Sequence, residues 1–271
     1  MPLRKHNDVL DDLYRDINRR RYVHPDPLEF LYNYAEPADR ELVALLASSM
    51  AYGRVAQILQ SVTNVLGRLG PNPAQYVAEN RPAKIRRIMQ NFKHRFSTGD
   101  HVAAMLIGAR KVIARDGSLG ACFARGVSQD HETVLEAMKA FVGEINEAAR
   151  AECGHLLPDP AKGSACKRLC LMLRWMVRTD RVDPGGWNDV CASKLLIPLD
   201  THMHKIAAGL GATKRKAADM RTVVEVTEAF RKVAPKDPVR YDFALTRLGI
   251  RNDMNVAEFL AMCNNRDQVN A

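Results

Sequence analysis

Long apolar runs are missing from this chain. Over its 271 residues the longest spans 42–51, about half of the ~20 residues that a bilayer-crossing helix needs, so a membrane span is excluded. The N-terminal Met1-Pro2-Leu3-Arg4-Lys5-His6 carries charge with no apolar stretch behind it, and no secretory signal is expected. No two cysteines pair as CxxC. Cys122, Cys153, Cys166, Cys170, Cys191 and Cys263 are scattered, which argues against a zinc site or an iron–sulfur cluster. They are expected to be reduced and buried in a cytoplasmic protein, with no metal and no cofactor. No stretch alternates polar and apolar residues between turn signals, and no repeat of fixed period is present. Acid is the other shortage: 31 Asp and Glu face 40 Lys and Arg, a formal charge of +9. Such a surplus points to a polyanionic partner, nucleic acid first. On charge alone, a basic surface without a partner explains it equally well.

What the chain does have is helical period. Leu10, Leu13, Tyr14 and Ile17 share one face of a helix that Asn7 or Asp8 caps and that runs to Arg21. Asp39 caps an apolar helix over 41–52. The next carries Val55, Ile58, Val62 and Val65 and ends at Gly67 or Gly70. After Pro82, a helix is expected to turn Ile85, Met89, Phe92 and Phe96 inward, with Lys84, Arg86, Arg87, Lys93 and Arg95 largely elsewhere. Those cations make a solvated face or a track for a nucleic-acid backbone. Asp100 and Asp130 cap two further helices. Beyond the Pro/Gly-rich break at 157–163, helical patterns cover 164–178, 201–208, 221–233 and 238–248, the last opened by Asp237-Pro238. A short helix follows Asn255. The fold class is all-α, with roughly ten helices.

Two places carry possible chemistry. Ser164 is the natural N-cap of the helix over 164–178, which puts Lys167 and Arg168 in its first turn. Helices prefer acids there, because the free amides make that end positive. An incoming phosphate, bound by the Gly163-Ser164 amides and by Arg168 and Arg174, would offset the mismatch. The same surroundings favour a neutral amine at Lys167, a usable nucleophile. A solvated lysine on an exposed turn is the plain alternative. The second place is Ile197-Pro198-Leu199-Asp200-Thr201-His202, where Asp200 sits at the mouth of a helix and can cap it.

That second segment, followed by Ile206 and Leu210-Gly211, resembles the proline–valine–aspartate–threonine–histidine segment of the helix-hairpin-helix DNA glycosylase superfamily. Lys167, 33 residues earlier (200 − 167), is similar in placement to the Schiff-base lysine of bifunctional members, nearest the archaeal 8-oxoguanine DNA glycosylase/AP lyases. Residues 42–51 resemble the superfamily's first barrel helix, and 241–249 its late helix ending in glycine. More closely, the chain resembles an uncharacterised bacterial family, domain of unknown function 2400. Its recurring phrases look like Asp26-Pro27-Leu28-Glu29-Phe30, Ala51-Tyr52-Gly53-Arg54, Cys166-Lys167-Arg168, Val182-Asp183-Pro184-Gly185-Gly186-Trp187 and the Asp200 segment.

The resemblance implies two helical lobes with a cleft between them. One is a barrel-like lobe over 39–197 holding the hairpin-like segment; the other combines 1–38 with 198–271. It implies a DNA-repair N-glycosylase with possible AP-lyase activity, catalysed by Lys167 and Asp200. DNA is the implied partner; RNA and protein partners stay open, with no membrane, and the protein would be nucleoid-associated when bound. Departures stand beside it. The hairpin's glycine-rich cradle is replaced by 157–165, and the wedge glutamine of endonuclease III falls at Ser49, which is too short. Met50 or Tyr52 could fill that role, and Trp187 or His202 could line a base pocket. A non-catalytic nucleic-acid-binding protein, using the same basic residues as phosphate clamps, is the competing reading.

Overall fold

The computed structural model describes residues 3–251 and 254–269. The helices are α1 (Asn7–Ile17), α2 (Pro37–Ser49), α3 (Val55–Leu69), α4 (Pro73–Glu79), α5 (Pro82–Met89), α6 (Gly99–Asp116), α7 (Leu119–Arg125) and α8 (Leu135–Ala149). They continue with α9 (Lys167–Val177), α10 (Thr201–Gly209), α11 (Met220–Arg231), α12 (Asp242–Ile250) and α13 (Val256–Val269). Among the described residues the named strands are β1 (Lys93–His94) and β2 (Ser97–Thr98), an antiparallel pair with Lys93 opposite Thr98 and His94 opposite Ser97. The protein is all-α. Within the described residues no helix is long and apolar enough to cross a membrane.

Proline at the first helical turn sets the start of α2, α4 and α5, and glycine with positive φ ends α3 and α6. α6 packs against α5, α7 and α8, α2 lies against α9, and α10 against α12. Close backbone approach explains two glycines in α6. A Cβ on Gly99 would stand 1.8 Å from the Met89 carbonyl oxygen, and one on Gly108 2.3 Å from that of Ile145. The buried apolar residues form a continuous cluster from Leu3 to Cys263.

Several local expectations change. α1 stops at Ile17. Asp39 does not cap its own helix: its carboxylate accepts from the Ala74 amide at 2.7 Å and so holds the start of α4. Thr98 rather than Asp100 is the N-cap of α6, and α8 begins at Leu135, beyond Asp130. Asp237 pairs with Arg178 at 2.9 Å, and the helix expected behind it begins at Asp242 instead. Helix α5 ends at Met89 and the chain turns through β1–β2, so Phe96 leaves the core and is 68% exposed. Among the cysteines Cys191 is exposed, the other five are buried, and none is disulfide-bonded.

Charge is also buried. Arg174 and Arg178 both pair with Asp183, Arg174 also with Asp242, and Arg178 also with Asp180. Losing one member of a buried ion pair leaves an uncompensated charge, and this network ties α9 to the loop after it and to α12.

Candidate active site

Lys167 and Asp200 meet. Their Nζ and Oδ2 atoms are 3.2 Å apart, with side chains 34% and 17% exposed. Each stands at a helix start. Asp200 is the N-cap of α10, and its Oδ1 accepts from the amides of His202 and Met203, both at 2.9 Å. Burial works to raise the Asp200 pKa, but the Lys167 charge and the Met203 amide outweigh it and hold the carboxyl below its usual range. The carboxylate is thus held ionised beside the Lys167 ammonium.

The start of α9 differs from the sequence expectation. Ser164 is not its N-cap: residue 164 bridges to Asp219, and the Met220 amide donates to the Gly163 carbonyl at 3.0 Å, which keeps this stretch out of the helix. Cys166, at φ 45°, is the N-cap, so Lys167 opens the helix. The Ser164 hydroxyl accepts from the Cys166 amide at 3.4 Å. The Gly163 amide is taken by the Pro160 carbonyl at 3.1 Å, which removes it from a phosphate cradle. Gly163 and Ser164 remain exposed.

The two arginines do not reach outward. Arg168 Nη1 donates to the Ser49 carbonyl at 2.8 Å, and its guanidinium lies 4.6 Å from the centroid of the Tyr52 ring. Arg174 is spent on Asp183 and Asp242. Both are buried and bonded within the protein, Arg174 at the wall of the cavity beside Lys167.

A cavity of about 340 Å³ opens beside the Lys167–Asp200 pair, with Tyr52, His202, Asp242 and Arg247 among its walls. That is at the small end of ligand sites, roughly 300–1,000 Å³. His202 is held flush against α12, because a Cβ on Gly249 would stand 2.5 Å from its Nδ1. The other two residues expected near a base are elsewhere. Met50 is fully buried, and Trp187 is 5% exposed. The Trp187 ring stacks on Phe123 with centroids 5.7 Å apart, and its Nε1 donates to Glu41 at 3.1 Å. Trp187 is core.

Sequence reasoning gave Asp242 no role, yet it sits in this wall. One oxygen pairs with Arg174; the other, Oδ1, is buried and has no hydrogen-bond partner. Burial, against the opposing pull of Arg174, pushes its carboxyl up to about 6. A carboxylate at a helix start reads in sequence as a cap, which hides such a residue. Asp26 and Arg247 were missed for a similar reason: each is unremarkable alone, and they pair at 2.6 Å only in the fold. Among the described residues no three His, Cys, Asp or Glu side chains converge as metal ligands would.

No curated protein and no solved structure matches the chain. A family model does match, over residues 26–251, a span that begins at Asp26 and ends just past Arg247 and so contains every residue described above around the cavity. The chain belongs to the family described as Protein of unknown function (DUF2400).

Proposed function

We propose that this protein is a DNA-repair-type N-glycosylase with an AP-lyase step, Lys167 being the amine nucleophile and Asp200 the carboxylate that serves it. The observation that carries the reading is the 3.2 Å approach of Lys167 to Asp200 at the wall of a cavity. A damaged nucleotide extruded from the duplex places its base in that cavity. Lys167 passes a proton to Asp200, and its lone pair forms a bond to the sugar C1′. The bond from C1′ to the base breaks, and its electron pair leaves with the base, which takes the proton held by Asp200. A proton passes from Nζ to O4′ as the C1′–O4′ bond breaks, which leaves a protonated Schiff base on Nζ. Asp200, ionised again, takes a C2′ proton; a C2′=C3′ double bond forms, and the 3′ phosphate leaves with the electron pair of the C3′–O bond. In this reading 39–197 form one lobe and 1–38 with 198–271 the other, arranged as in helix-hairpin-helix glycosylases, with the cavity between them. The protein acts on nucleoid DNA.

The competing reading, a non-catalytic nucleic-acid-binding protein, relied on Lys167, Arg168 and Arg174 as phosphate clamps. Arg168 and Arg174 are bonded internally, which weakens it. Incubation with abasic-site duplex and sodium borohydride is expected to leave a covalent protein–DNA adduct that Lys167→Ala abolishes. A wild-type protein that forms no adduct overturns the lyase step. One that releases no base from a panel of lesion duplexes overturns the glycosylase step.

A further inference from the structure

Among the described residues Phe96 is the most exposed of the large apolar side chains, at 68%, and it is not on a loose loop. It forms the turn between β1 and β2 with Arg95, whose φ is 52°. The hairpin is fastened to a wall of the cavity. The Tyr52 hydroxyl donates to the His94 carbonyl at 2.9 Å and lies 2.8 Å from the Ser97 hydroxyl, while the His94 ring bonds Ser61 at 2.9 Å and the Tyr52 carbonyl at 3.2 Å. Arg95 closes the other side: its Cδ lies so near Gly53 that a Cβ there would stand 2.8 Å away. Aromatic rings then run from the cavity to the tip. Tyr52, a cavity residue, meets His155 with centroids 4.7 Å apart, and His155 meets Phe96 at 5.6 Å.

The surface around the tip is cationic. Lys93, Arg95 and, across Gly53, Arg54 are exposed, and neither 91–99 nor 51–60 contains an acid; the exposed acids next along the chain are Asp100 and, three residues before His155, Glu152. An apolar ring standing in water amid cations, beside a cavity, fits a partner that is polyanionic outside and stacked aromatic inside. Duplex nucleic acid has that construction; a protein surface of matching chemistry would need carboxylates around an apolar hole.

We infer that Phe96 is a wedge for duplex DNA, entering the base stack at the gap left by an extruded nucleotide while Lys93, Arg95 and Arg54 hold the flanking phosphates. The inference rests on the proposed function for the extruded nucleotide, but its test does not depend on Lys167 chemistry. The full chain is titrated against two duplexes. One is intact; the other carries a tetrahydrofuran abasic analogue, which has no base to release, facing 2-aminopurine. Wild type is expected to prefer the tetrahydrofuran duplex and to change the 2-aminopurine fluorescence as neighbouring stacking is disturbed. Phe96→Ala should lose roughly tenfold in affinity for that duplex, the scale of one base–aromatic stack, with intact-duplex affinity and thermal stability unchanged. Phe96→Trp should restore binding, and its indole emission should be quenched on contact. No preference in wild type, or a preference that Phe96→Ala retains, overturns the inference even if borohydride trapping succeeds. A Phe96-dependent preference without any trapped adduct upholds the wedge and removes the lyase step. Self-association that Phe96→Ala abolishes, with DNA binding untouched, would assign the ring to a second copy and overturn it as well.

Discussion

Asp200 has two jobs, and substitution separates them. As an N-cap it satisfies two amides of α10, which asparagine does nearly as well; in the proposed reaction it is also the proton acceptor beside Lys167, which asparagine cannot be. Asp200→Asn should therefore unfold in urea within roughly 1 kcal/mol of wild type, while single-turnover base release falls about 10²–10⁴-fold. Asp200→Ala should show the same kinetic loss and cost about 1 kcal/mol more in stability. Asp242 makes a different prediction, read in pH. Its folded carboxyl titrates near 6 against an ordinary 3.8, so the folded state binds the proton more tightly than the unfolded one. That contribution to stability is complete below pH 3.8 and is lost as pH rises through about 6, on the order of 3 kcal/mol. Urea titrations of Asp242→Asn between pH 4 and 7 should lack that component of the slope. That Lys167 and Asp200 stand near helix starts was legible in sequence, because such positions are local properties; that the two belong together came from the family resemblance. The fate of Arg174, Met50 and Trp187 was not, since burial depends on what packs from elsewhere in the chain.

Among the elements, α7 is short and lies inside the structure, so its first amides need a partner the segment itself only partly supplies. Ser118 takes the Ala121 amide at 2.8 Å. Glu41, from the middle of α2, takes those of Leu119 at 2.9 Å and Gly120 at 3.1 Å, and the Trp187 indole as well. One buried carboxylate therefore satisfies three donors. Glu41→Ala should cost about 3 kcal/mol or more, seen as a lower urea midpoint, and Glu41→Gln should cost less because one acceptor oxygen survives. The periodicity of α3, α10 and α11 located those helices to within a few residues. Helix starts were harder where the cap comes from a distant residue, as Asp39 does for α4, or where a tertiary bridge holds the chain extended, as Asp219 does at Ser164. The hairpin that lifts Phe96 into solvent gave no period-two signal, because its strands are two residues each.

For the molecule as a whole, the buried ion network makes stability depend on completeness. Asp183 is fully buried between Arg174 and Arg178, and removing it leaves two guanidinium groups short of a partner. Asp183→Ala should destabilise by about 3–5 kcal/mol, measured by urea unfolding, a loss large enough to lower soluble yield at 37 °C. Nothing in the residues 174–183 taken alone indicates whether their charges face water or one another.

The pair between Asp26 and Arg247 joins positions 221 residues apart, and both contribute to the cavity wall. On a ribosome adding roughly 5–20 residues per second, that gap corresponds to about 10–45 s. Lys167 precedes Arg247 by 80 residues (247 − 167), so for the last ~4–16 s of that interval the nascent chain carries the lysine, and later Asp200, without the finished cavity. The lysine that the proposed reaction uses is thus enclosed only at the end of synthesis, and a prematurely terminated product would possess it without the cavity around it.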